Sequence, residues 1–228
     1  MQDYILISGA AKDIERGSCG YSIVIGKRNI SWIGKYNEFS VVILLHYANG
    51  EPCILYEVRS EHMDRQPGET CLPGGERDEG ETAEECAFRE LYEETGISQE
   101  NTELITEMDN LVTYAGIILH PYIVRYTGSE SDFSKELILN PNEVKHTFSV
   151  PISFLERATP KIYDMGVRID KTKDFPYREV KMNPDYSWRT GNVKVPVINY
   201  KDEVIWGLTA RITLHFIRTL QGEKMPDV

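Results

Sequence analysis

The segment GGERDEGETAEECAFRELYEETGI, residues 74–97, limits this chain more than any other part of it. It holds nine acidic residues: Glu76, Asp78, Glu79, Glu81, Glu84, Glu85, Glu90, Glu93 and Glu94. Thr82 with Glu85 three positions later is a capping box, and Gly96 supplies a stop, so residues 82–95 read as a helix. Ala83, Ala87 and Leu91 then form an apolar stripe. Glu90, Glu93 and Glu94 fall within one turn of one face, and Arg89 pairs with Glu93 at i+4. Like charges at that spacing destabilise a bare helix. They become favourable around a hard divalent cation, because Mg²⁺ takes oxygen ligands and completes its shell with water and substrate phosphate. A solvated acidic face is the plain alternative for any charge run.

The rest of the chain narrows the setting. Its 228 residues suit one domain with additions, and a hydrophobic fraction of 41% suffices for a core. A net charge of −11 argues against nucleic acid as a partner, since phosphate backbones need clustered Lys and Arg. No secretory signal is evident and no apolar run approaches membrane-spanning length, so no membrane partner is expected. Cys19, Cys53, Cys71 and Cys86 form no CxxC pair and no zinc spacing with His. They read as free thiols in a reducing compartment, which places the chain in the cytoplasm.

Along the chain, GYSIVIG (20–26), FSVVILLHY (39–47) and CILYEVR (53–59) read as strands. The last two are joined through Asn49-Gly50 as a hairpin. LITEM (104–108) and GIILHPYIVRY (116–126) are further strands, the second interrupted or edged at Pro121. Residues 144–158 read as a strand or bend leading into a short helix, and 208–220 as the last helix. Residues 159–203 are polar and form an excursion with a hairpin, a candidate lid or dimer contact. Strands and helices interleave without a βαβ repeat, so the expected class is α/β (α+β), with a mixed sheet and helices on its faces.

Gly75, five residues, Glu81, seven residues, Arg89-Glu90-Leu91, one residue, Glu93-Glu94, one residue, Gly96-Ile97: this pattern resembles the Nudix box at every defining position. Each fixed letter occurs at roughly 5–8%, so seven together match by chance on the order of 10⁻⁸ per start position. The resemblance implies an α/β/α sandwich and hydrolysis of a nucleoside diphosphate linked to another moiety, with Mg²⁺ or Mn²⁺ as cofactor. By position, Glu90, Glu93 and Glu94 are the implied metal ligands, with the Gly75 carbonyl near the metal. Arg89 is implied to hold the glutamate cluster, Glu81 to support it, and Gly96 to turn the helix end back. Glu143, in NPNEV, occupies the later-loop region where some members carry a base, and is the candidate extra ligand or base. A single domain is expected over residues 1–228, with its core at about 39–158 and 203–222, an N-terminal extension at 1–38 and the polar insertion at 159–203.

The flanks refine the substrate. VRSEHMDRQPGETCLPGGERD (58–78) resembles the signature before the box in coenzyme A diphosphatases, matching at Arg59, Ser60, Gly68, Pro73, Gly74, Gly75 and Asp78. Two positions depart: Asp64 stands where an Arg is usual, with Arg65 one place late, and Leu72 replaces Phe. Arg59, Ser60 and Arg65 are the candidate substrate-binding residues. Trp206 reads as core or helix-start packing. Tyr114 lies where some dinucleoside-polyphosphate hydrolases of the family carry a Tyr, and a core role explains it as well. The leading expectation is cleavage of coenzyme A or an acyl derivative to 3′,5′-ADP and a 4′-phosphopantetheine product. The alternatives are hydrolysis of ADP-ribose, NADH or a dinucleoside polyphosphate, and a non-catalytic nucleotide sensor. A homodimer is the oligomeric candidate.

Overall fold

The protein is described by a computed structural model that covers residues 16–17, 20–21, 33–169, 174–183 and 185–222. It divides into two units, Met1–Lys35 and Tyr36–Val228. In the first, β1 (Arg16–Gly17) pairs antiparallel with β2 (Gly20–Tyr21). The rest of the expected strand at 20–26 lies outside the described residues.

In the second unit the apolar run begins β3 (Asn37–Ala48), which turns at Asn49 (φ 52°) and Gly50 (φ 75°) into β4 (Glu51–Arg59). Both turn residues have the left-handed backbone that an Asn-Gly hairpin requires. The hairpin then opens. β4 pairs with β3 from Glu51 to Ile54, but beyond that with β5 (Thr70–Cys71), while the start of β3 pairs with β6 (Gly74–Glu76). Residues 70–76 therefore fill the split, and Pro73 accepts the Val42 N–H at 2.8 Å. The segment enters α1 (Ala83–Thr95) directly afterwards.

β7 (Thr102–Glu107), β8 (Leu111–Val112) and β9 (Ile117–Tyr126) follow, then α2 (Glu130–Glu136), β10 (Val144–Pro151) and α3 (Ile152–Arg157). The main sheet runs β10-β4-β3-β9-β7, with β3 and β9 parallel and the other pairs antiparallel. Pro121 sits inside β9 and pairs with Val41 on one side. Its carbonyl accepts from Met108 on the other side, where β7 gives way to β8. The missing N–H faces that same junction, so a central strand tolerates the proline.

Alternation along β3, β4 and β9 divides the core. Val42, Leu44, Leu55, Tyr122 and Val124 pack under Ala87, Phe88 and Leu91 of α1 and Phe133 of α2. Ile43, Ile54, Tyr56, Leu119 and Ile123 pack on the opposite face against Leu155 of α3 and against Ile212 and Phe216 of α4 (Gly207–Leu220). Burying a side chain such as Leu91 contributes about 2 kcal/mol. The helices thus cover both faces of a mixed sheet, as expected.

β11 (Lys161–Val167), β12 (Gly191–Tyr200) and β13 (Glu203–Trp206) form a second sheet in that order. The expected hairpin is β12–β13. β11 is an addition that the sequence hides, because six of its seven residues are exposed and none alternates. Ile198 and Ile205 are buried in the α4-side core, so the end of the 159–203 stretch belongs to the packed body. Among the described residues no helix is long and apolar enough to cross a membrane.

Candidate functional site

The acidic helix is built as its sequence requires. Thr82 and Glu85 satisfy each other's main-chain N–H groups, and Gly96 closes the helix in the left-handed region at φ 75°. A Cβ at Gly96 would also lie 3.1 Å from the Glu136 carbonyl, so the left-handed conformation calls for glycine and the tight space adds to it. The chain after α2 returns along this end: Ile138 N–H donates to the Thr95 carbonyl and Asn140 N–H to that of Glu94. Ser60 N–H then donates to the Glu143 carbonyl at 2.7 Å. These three bonds carry Glu143 from far along the sequence to the glutamate face of α1.

Glu90, Glu94 and Glu143 each offer a carboxylate oxygen to one point, all within 4.8 Å of one another. Glu94 is buried and accepts the Gly74 N–H at 2.7 Å. Glu143 accepts from Asn140 Nδ2 at 2.9 Å. Glu93 lies apart from this group. Its side chain is half exposed and accepts from Arg89 Nη1 at 3.0 Å.

Arg89 binds three carboxylates at once. Its Nε donates to Glu81 at 2.8 Å, its Nη1 to Glu90 at 2.6 Å as well as to Glu93, and its Nη2 to Glu81 at 3.1 Å. The Glu81 contact is the main cause that holds the guanidinium protonated, and it lowers the Glu81 carboxyl in turn. Gly75 gives Glu90 its room, since a Cβ there would meet the Glu90 carboxylate. The Gly75 carbonyl accepts a weak hydrogen bond from Cys86 Sγ at 3.6 Å.

Sequence reasoning missed Glu57. It lies on β4, is 1% exposed, and neither of its oxygens receives a hydrogen bond from the described residues. Its carboxyl lies against that of Glu94, within hydrogen-bonding reach. Burial pushes Glu57 up to about 8 and raises Glu94 well above the carboxylate range; the Glu57 charge raises Glu94 further, while the hydrogen-bonding contact with Glu94 partly offsets the rise of Glu57. Burial also raises Glu90. A strand acid inside CILYEVR, read by pattern, was simply a break in an apolar run. Its signal would have been that β4 is otherwise buried on both faces.

A buried carboxylate without a donor, such as Glu57, is costly unless a cation or a proton compensates it. The chemistry of the converging glutamates, all oxygen, fits a hard divalent ion.

Glu90, Glu94 and Glu143 line a cleft of about 620 Å³. Arg59 and Arg65 line it, but Asp64 does not. The one-place shift of the second arginine therefore leaves its charge at the cleft and turns the acid elsewhere. Ser60 is buried and does not reach the cleft. It acts through its main chain on Glu143, and its Oγ accepts from His62 N–H at 3.4 Å. Trp206 caps α4 but is not core: it is 41% exposed and lines the cleft. Tyr114, 76% exposed, lines it too and is likewise no core residue. Neither could be placed from a lone aromatic in sequence. Cys53, Cys71 and Cys86 are free, as expected for those positions.

A NUDIX domain model matches residues 37–165. Nudix hydrolase 3 of Caenorhabditis elegans is 34% identical over 119 residues, covering 52% of this chain and 49% of that protein. Peroxisomal coenzyme A diphosphatase NUDT7 of Mus musculus is 29% identical over 140 residues, covering 61% and 56%. Peroxisomal coenzyme A diphosphatase ndx-8 of C. elegans is 34% identical over 126 residues, covering 52% and 51%. The chain spans about half the length of the curated relatives it matches.

Proposed function

Because the chain belongs to the Nudix family, we propose that it hydrolyses the diphosphate linkage of a nucleoside diphosphate derivative, coenzyme A or an acyl-coenzyme A foremost. The convergence of Glu90, Glu94 and Glu143 on the wall of a cleft is the observation that carries the reading. Two relatives named as coenzyme A diphosphatases, at 29% and 34% identity, support the substrate. Arg59 and Arg65 on the cleft wall support a polyanionic one.

Glu90 and Glu94 would hold a divalent cation, Mg²⁺ or Mn²⁺. Such an ion neutralises diphosphate charge, orients the two phosphates and acidifies water when bound. Glu94 is fixed for that task by the Gly74 N–H, and Glu90 by Arg89. Glu93 serves the cluster through Arg89. Glu143 stands on the loop side, oriented by Asn140, and takes the proton from the attacking water. The water oxygen bonds to one phosphorus, the bond from that phosphorus to the bridging oxygen breaks, and the bridging oxygen leaves on the other phosphate. Arg59 and Arg65 pair with the non-bridging oxygens as charge shifts onto the leaving group. With coenzyme A the products are 3′,5′-ADP and 4′-phosphopantetheine.

A substrate panel with Mn²⁺ tests this: coenzyme A, acetyl-coenzyme A, ADP-ribose, NADH and diadenosine polyphosphates, products resolved by chromatography. The expected result is a preference for the coenzyme A compounds of about tenfold in kcat/KM, or ~1.4 kcal/mol of transition-state discrimination, abolished in Glu94→Gln. A preference for ADP-ribose or a dinucleotide would overturn the substrate and keep the chemistry. No turnover of any compound would leave a binding protein.

A further inference from the structure

One wall of the cleft lies outside the matched residues 37–165. Residues 193–195 of β12 and 206–209 with 211–212, from the end of β13 and the start of α4, form it. Arg211 is the residue on that wall without an explanation. It is partly buried, and it makes no hydrogen bond or ion pair with any described residue. Burial alone shifts its guanidinium, downward, with no carboxylate contributing. The nearby acid that shares a small pocket with it, Asp109, is taken by His215 Nε2 at 2.8 Å. A guanidinium withdrawn from water without a partner is unfavourable, and its planar fork of N–H donors matches a phosphate.

Its position separates it from the carboxylates. α4 covers the sheet face opposite α1. Arg211 lines one small pocket with Leu111 of β8 and Pro121 of β9, whereas Glu57 lies on β4, with β3 between β4 and β9. Two strand spacings amount to roughly 10 Å. A diphosphate is two phosphorus atoms joined through one oxygen, so one seated among the carboxylates ends short of Arg211. Trp206 offers an exposed ring on the same wall, a surface on which a base can stack. With the base there and the diphosphate at the carboxylates, the group that reaches Arg211 is carried by the sugar between them.

We infer that Arg211 is a specificity-determining residue that binds a phosphate monoester on the sugar of the nucleotide half, apart from the diphosphate that is cleaved. This rests on the hydrolase reading for the orientation of the nucleotide, but its test needs no turnover. Binding of 3′,5′-ADP, 2′,5′-ADP and 5′-AMP is measured by calorimetry, without divalent cation, on the full chain and on Arg211→Ala, Arg211→Met and Arg211→Lys. Thermal melts establish that each variant folds, and Arg211→Met retains the apolar stem if the alanine does not.

One bisphosphate binds the wild type at least tenfold more tightly than 5′-AMP, and its position of attachment, 3′ or 2′, identifies the monoester. Arg211→Ala or Arg211→Met brings that bisphosphate to within twofold of 5′-AMP and leaves 5′-AMP unchanged, while Arg211→Lys recovers part of the difference. The inference is overturned if the bisphosphates and 5′-AMP bind the wild type alike, if none binds at millimolar concentration, or if the variants weaken 5′-AMP equally. Failure of the hydrolase reading is seen separately, as absence of turnover in the substrate panel.

Discussion

A Cβ on Gly75 would stand 2.5 Å from Glu90 Oε2, so the glycine is the space in which that carboxylate sits. The atoms it would strike are the far end of a flexible side chain, and the Gly75 backbone is outside the left-handed region. Gly75→Ala is therefore expected to fold, with a Tm within a few degrees of wild type, and to lose at least tenfold in Mn²⁺ affinity as Glu90 swings away. Gly74 is the converse. Its φ is 151°, and a Cβ there would lie 2.7 Å from Val41 Cα, which cannot move aside. Gly74→Ala should cost about 3 kcal/mol or more, a fall in Tm on the order of 10 °C. Equal melting curves for the two variants would sink this distinction.

Arg89 provides a test of the clamp. Lysine keeps the charge, but one ammonium cannot reproduce the bonds that Nε, Nη1 and Nη2 make to Glu81, Glu90 and Glu93. Arg89→Lys should lower kcat/KM by about 10- to 100-fold, the range seen when groups that orient ligands are removed. Its stability should change little, because the network is partly exposed and screened. A lysine variant with wild-type kinetics would mean that charge alone suffices.

Much of this arrangement was legible in the sequence because it is local. The capping box, the Gly96 stop and the Arg89 pair with Glu93 all lie within one helix, where spacing fixes geometry. Glu143 could be named only by its loop, since what carries it to Glu94 is a set of main-chain bonds that no side-chain pattern records. Glu57 was invisible for another reason: a buried acid on a strand interrupts the apolar pattern without announcing its partner. β11 was missed because an exposed strand has no alternation. Trp206 and Tyr114 are ordinary as letters, and their exposure to the cleft depends on how α4 and the loop before β9 lie against it.

Glu93 and Glu94 separate two roles within adjacent residues. Glu94 is buried with one oxygen on Gly74 N–H, while Glu93 is half exposed on Arg89. Glu94→Gln should abolish measurable turnover, a loss of 10³-fold or more by analogy with the removal of a principal electrostatic group. Glu93→Gln should lose about tenfold, through Arg89. Mn²⁺ titration followed by water proton relaxation checks the assignment: Glu93→Gln should keep most of the wild-type affinity. If Glu93→Gln loses as much affinity as Glu94→Gln, then Glu93 is a ligand in its own right.

The buried pair of Glu57 and Glu94 makes the cation-free protein sensitive to pH in a direction opposite to ordinary acid denaturation. An unfolded glutamate titrates near 4.5, whereas burial holds Glu57 at about 8 in the folded chain. Between those values the folded state binds the proton that the unfolded state has lost, so stability falls as pH rises through the window. Glu94, raised in the same direction, adds to the slope. The Tm of protein in chelator should therefore fall from pH 5 to pH 8. Glu57→Gln, which stays neutral throughout, should flatten that fall and be the more stable of the two proteins at pH 8. Mn²⁺ should act oppositely, because it competes with the proton for the same oxygens. Its stabilisation should grow with pH, reaching about 2.7 kcal/mol at a hundredfold excess over Kd. Differential scanning calorimetry at pH 5, 6.5 and 8, with and without Mn²⁺, measures all of these quantities. A Tm in chelator that rises with pH, or that Glu57→Gln leaves unchanged in slope, would show that the pair does not hold a proton in the cation-free fold.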